Sequence, residues 1–181
     1  MNKSLIASFA MVAALAASAA DGTLLFSNAP LDGKPRIFAP DGTTGLTGNG
    51  TYLVDLVVKG ATSLTDNATG LALQPLKFFK SAANAGLFSG TTVVIGGIAG
   101  AADAKAEVTV RAWDSSTGAT YDAAKIRGSV TFNQVGLGGF GAPAATPFNL
   151  SGFKSFALTP EPSTYALAAL GLGGLLFLRR K

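Results

Sequence analysis

The chain has 181 residues, no cysteine, no histidine and a formal net charge of +4. Without those two residue types there is no disulfide, no imidazole base, no Ser-His-Asp or Cys-His arrangement and almost no route to a zinc site. Lys3, Arg179, Arg180 and Lys181 sit in the terminal segments and the other ten cations balance the ten carboxylates, so the body between them has no basic excess to bind nucleic acid.

Met1-Asn2-Lys3 is a short basic start, followed by the apolar run Leu5–Ala17 and the small residues Ala17-Ser18-Ala19, with Ser18-Ala19-Ala20 as a second frame. That order is the secretory pattern, and the run is apolar all round rather than amphipathic. It predicts a signal peptide over residues 1–20, read by the Sec translocon and signal peptidase. Ala17, Ala19 and Ala20 form the cleavage site, and the mature chain starts at Ala20 or Asp21.

From Asp21 to Leu158 the punctuation is that of an exported all-β domain (21–158). The turn pairs Asp32-Gly33, Asp41-Gly42 and Asn49-Gly50 offer the positive-φ positions that tight turns use. Between and after them lie strand candidates at Thr23–Ser27, Pro35–Phe38, Thr51–Lys59, Leu76–Phe79, Thr91–Ile98, Ala106–Trp113, Ser129–Gln134 and Phe153–Leu158. In TYLVDLVVK, Tyr52, Val54, Leu56 and Val58 alternate on one face, with Asp55 and Lys59 on the other. Tyr121–Arg127 is a helix candidate ended by Gly128, and Ala142–Pro147 reads as a loop. Short strands with frequent turns predict a single β-sandwich, immunoglobulin-like or jelly-roll-like, with a barrel as competitor.

The body offers little chemistry. Glu107 is the sole glutamate before the tail, so the facing carboxylates of a glycosidase are not evident. Asp32 and Asp41 lie in separate turns, without a calcium-loop pattern. The reading is of no enzyme, no catalytic residue, no metal and no cofactor. In the stretch RAWDSSTGATYDAA, Arg111 and Trp113 alternate away from Val108, Val110 and Ala112. On an open face, Arg111, Trp113, Asp114 and Tyr121 would form a sugar platform; otherwise Trp113 seals one end of the core. Sequons occur at Asn49, Asn67 and Asn149.

The tail, residues 159–181, reads TPEPSTYALAALGLGGLLFLRRK. The uncharged run Tyr165–Leu178 would reach about 21 Å as a helix, short of a hydrocarbon core of about 30 Å. The positive-inside rule leaves Arg179, Arg180 and Lys181 in the cytoplasm and the body outside. Pro160-Glu161-Pro162-Ser163, a short Gly/Ala/Leu membrane helix and a basic end resemble the PEP-CTERM sorting signal. The resemblance implies recognition by a membrane-embedded exosortase that cleaves at or near the motif. It also implies a bacterium that makes extracellular polysaccharide. A removable tail of this kind need not span comfortably.

The body would then be exported, held briefly at the inner membrane, and passed to the cell surface or biofilm matrix. A structural or adhesive role ranks first there, a carbohydrate-binding module for exopolysaccharide second and a secreted hydrolase third.

Overall fold

Residues that alternate apolar and polar in extended chain put one row on each side of a sheet, and three neighbouring strands do this in register. The structure is a computed structural model describing residues 20–139 and 146–161. Its strands in chain order are β1 (Asp21–Ser27), β2 (Ile37–Phe38), β3 (Tyr52–Val58), β4 (Ser63–Asp66), β5 (Leu76–Lys77), β6 (Ser89–Ala99), β7 (Lys105–Asp114), β8 (Ile126–Val135), β9 (Gly138–Gly139), β10 (Phe148–Asn149), β11 (Phe156–Ala157) and β12 (Thr159–Pro160). A short 3-10 turn at Ala82–Asn84 separates β5 from β6.

The described residues are all-β apart from one 3-10 turn. One sheet runs β10-β1-β6-β4, with β9 also paired to β1; the other runs β12-β8-β7-β3-β5; β2 and β11 form a two-stranded ribbon. In the second sheet Val54 faces Ala112, Leu56 faces Val110 and Val58 faces Val108, and Val110 and Val108 face Val130 and Phe132 on β8. That row meets Leu24 and Phe26 of β1 and Val93 and Ile95 of β6 in one buried cluster. The two sheets therefore share a core. Phe88 stands at its aromatic centre, 4.9 Å from Phe26 between ring centroids and edge-on to Phe78 and Phe153.

Two buried amides hold the irregular chain to this core. Asn28 donates to the carbonyls of Pro35 and Gly86 and accepts from the Phe88 amide at 2.7 Å. Gln134 donates to the carbonyls of Val135, Gly136 and Asn149 and accepts from the Ser151 amide. Both are fully buried, and both have their polar atoms matched.

Several sequence readings are corrected. Tyr121–Arg127 is not a helix: Ala123 and Ala124 close one turn on Thr120, the Lys125 and Ile126 amides donate to the Thr117 hydroxyl, and β8 begins at Ile126. Seven residues are too few for a stable isolated helix, and pairing with β7 prevails. Phe153–Leu158 is not one strand. Phe156–Ala157 pairs with β2 and Thr159–Pro160 with β8, with Leu158 buried between the two ladders. Of the turn glycines, Gly33 and Gly42 have φ of 69° and 73°, whereas Gly50 is not among the positive-φ residues. Strands β4, β9, β10 and β12 went unpredicted.

The predicted signal peptide with Ala17 and Ala19, most of the loop Ala142–Pro147, Pro162, Ser163, the membrane helix Tyr165–Leu178 and Arg179, Arg180 and Lys181 lie outside the described residues. Among the described residues no helix is long and apolar enough to cross a membrane.

Candidate functional site

The register of the second sheet lines up Leu53 on β3, Trp113 on β7, Arg127 on β8 and Thr159 on β12 across its outer face. Beside this row run Asp55, Arg111 and Ser129. Arg111 meets Asp55 with two parallel hydrogen bonds, Nε to Oδ1 at 2.9 Å and Nη2 to Oδ2 at 2.5 Å. This bond, against the opposing cost of burial, keeps the guanidinium protonated beyond its ordinary range.

The segment between β7 and β8 folds over this face. Gly118 lets it pass close to itself, since a Cβ there would stand 2.3 Å from the Ala123 carbonyl carbon and oxygen. The segment lays Tyr121 against Trp113 in an edge-to-face contact, with centroids 6.2 Å apart at 88°. The guanidinium carbons of Arg111 and Arg127 lie 4.8 Å and 5.2 Å from the Tyr121 centroid, a cation–π arrangement.

The structure thus brings Arg111, Trp113, Asp114 and Tyr121 together, but not as an open platform. Trp113 is 2% exposed, and among the described residues its indole N–H has no partner. Its ring faces are covered, so it is not an open stacking surface. Asp114 is committed as well. Its carboxylate accepts from the Thr51 hydroxyl and from the Ser116 amide and hydroxyl. Burial works to raise its pKa, and these hydrogen bonds outweigh burial and hold it below the ordinary value.

Arg127 is the residue that sequence reasoning missed. Its Nη1 donates to the carbonyls of Tyr121 at 3.1 Å and Asp122 at 3.0 Å, and its Nη2 donates to the Glu161 carboxylate. Thr159 pairs with Arg127 and Pro160 with Ile126 in an antiparallel ladder. The Glu161 amide donates to the Lys125 carbonyl at 2.7 Å, and the Thr159 hydroxyl to the Arg127 carbonyl at 3.3 Å. The start of the Pro-Glu-Pro-Ser segment is therefore an edge strand of the body. Proline suits an edge strand, where no further strand needs its missing N–H. Leu158, fully buried, anchors the approach. Gly128 leaves room for it, because a Cβ there would lie 2.8 Å from the Ala157 carbonyl oxygen.

A cleft of about 320 Å³ is lined by Pro30, Leu31, Asp32, Pro35, Leu150 and Phe153. None of the four platform residues reaches it. Among the described residues no three carboxylates gather into a metal-binding group.

Residues 158–181 match the family model described as a PEP-CTERM protein-sorting motif. No curated protein and no solved structure matches the chain.

Proposed function

Because the chain carries a PEP-CTERM protein-sorting motif, we propose that it is an exported exosortase substrate. Its body then serves a structural or adhesive role at the cell surface or in an exopolysaccharide matrix. The motif implies export, transient anchoring in the membrane and an exosortase as partner. The observation that carries this reading is the match over residues 158–181, which spans the Pro-Glu-Pro segment, the apolar run and the basic end together.

The body we take as a non-catalytic β-sandwich, immunoglobulin-like or jelly-roll-like in plan. Support comes from two sheets sharing one core and from a sequence without histidine or cysteine. A sugar-binding module would need a solvent-facing aromatic platform. The burial of Trp113 and the contact of Tyr121 with two arginines weigh against placing it on this face.

The test is intact mass and carboxyl-terminal sequencing of the protein from its host, with and without the exosortase gene. A product ending near Pro160–Ser163 in the host, and an uncut tail in the deletion strain, is the expected outcome. The same Arg-Arg-Lys end in both strains would overturn the reading.

A further inference from the structure

The recognition segment of a sorting tail and the domain it sorts are ordinarily thought of as separate parts. Here they share a sheet. Thr159 and Pro160 are paired to β8, the Glu161 amide is bound to the Lys125 carbonyl and the Glu161 carboxylate is bound to Arg127. Arg127 is itself held from behind by the carbonyls of Tyr121 and Asp122 and lies over the Tyr121 ring. Its guanidinium is thus fixed in position before Glu161 arrives, which lowers the entropy lost in making that contact.

An enzyme that takes an extended peptide does so by adding it as a strand to an edge of its own and seating its side chains in pockets. Residues 159–161 already spend one backbone edge on β8, and the sole glutamate of the motif is spent on Arg127. The body and the processing enzyme therefore compete for the same strand.

We infer that the folded body holds its own sorting motif closed, with Arg127 as the positioning residue, so that processing waits on local release of β12. This rests on the exosortase reading above. Release need not unfold the body. Leu158 is buried in the core, so opening stops there and breaks only the contacts of Thr159, Pro160 and Glu161. Short terminal pairings of this kind open far below the global unfolding free energy. Arg127 lies outside the Pro-Glu-Pro segment, so changing it leaves intact the residues that the enzyme reads.

Two measurements on the full-length chain test this. In the host, tail processing is followed by pulse-chase for wild type, R127K and R127Q. Loss of one partly exposed charged contact should raise the rate about two- to fivefold in R127Q, with R127K between. Equal or slower processing of R127Q overturns the inference. A wild-type tail left uncut in the exosortase-positive strain instead removes the reading on which it rests.

The second measurement is independent of the enzyme: amide hydrogen exchange on the full-length protein in detergent micelles. The Glu161 amide should be protected in wild type and exchange about two- to fivefold faster in R127Q, with the β7 and β8 amides protected in both. An unprotected Glu161 amide in wild type overturns the docking itself. Loss of β7 and β8 protection in R127Q would mark that variant as misfolded, and R127K then carries the rate comparison.

Discussion

Leu158 occupies the position where the body meets the tail. Its side chain is fully buried and its amide donates to the Phe38 carbonyl at 2.9 Å. Cutting it to alanine removes buried methyl groups and leaves a cavity between the sheets, at a cost of about 2–5 kcal/mol. Leu158→Ala should lower the urea unfolding midpoint accordingly, and because Thr159 follows directly, β12 should loosen with it. A midpoint unchanged from wild type would mean that Leu158 packs less tightly than its burial indicates. Neither role is written in the residue type. A leucine before Thr-Pro-Glu-Pro reads equally as the end of a domain and the start of a tail, and the core contact decides for the first.

At the scale of elements, the long alternating strands were legible, while β4, β9, β10 and β12 were not. In β3 and β7, Val54, Leu56, Val108, Val110 and Ala112 are all buried, as a period of two requires. Strands β9, β10 and β12 have two residues each, too few to carry a periodicity. They exist because folding brings their backbone to a sheet edge. Strand β4, SLTD, lacks an apolar alternation and forms by pairing with Val93, Val94 and Ile95 of β6. The segment between β7 and β8 fails as a helix for the same kind of reason, its amides being claimed by Thr117 and by the sheet.

That segment can be tested alone, because Trp113 beneath it is the single tryptophan of the chain. Gly118→Val places side-chain atoms against the Ala123 backbone and should lift the segment off Trp113. The expected readout is a red-shifted emission and stronger iodide quenching, with cooperative unfolding of the body retained. Blue-shifted, unquenched emission in the variant would show that Trp113 is covered by something else.

For the whole molecule, pH dependence follows from which groups have partners. The Asp41 carboxylate accepts from the Thr44 hydroxyl and from the Thr44 and Thr43 amides, which lowers its pKa from 3.8 to about 2. Asp66 is lowered chiefly by the Thr69 amide, and Asp114 is lowered as described. A depressed carboxyl contributes stability that is full above its unfolded value and lost as pH falls through its folded one. Stability should therefore hold down to about pH 4 and decline toward about pH 2. With neither histidine nor cysteine in the chain, it should be nearly flat from about pH 5 to 8. Burial, then the charges of Asp114 and Asp41, raise the Tyr52 hydroxyl. The sign there is reversed, and stability should fall as pH rises beyond about 10. Thermal unfolding midpoints across this range check all three limbs, and a slope between pH 5 and 8 would contradict them.

By itself the sequence determined the sorting motif and the all-β body. The first is a linear order of residue types, and the second is a local alternation, so neither depends on what the chain meets after folding. Only the tertiary structure decided that Trp113 is covered and that Glu161 belongs to Arg127. Those contacts join positions 8 and 34 residues apart, and they arise from the strand register that aligns Leu53, Trp113, Arg127 and Thr159. Register is set by the burial of the opposite face of the sheet. The core thus positions the outer face of the sheet whose inner face it buries.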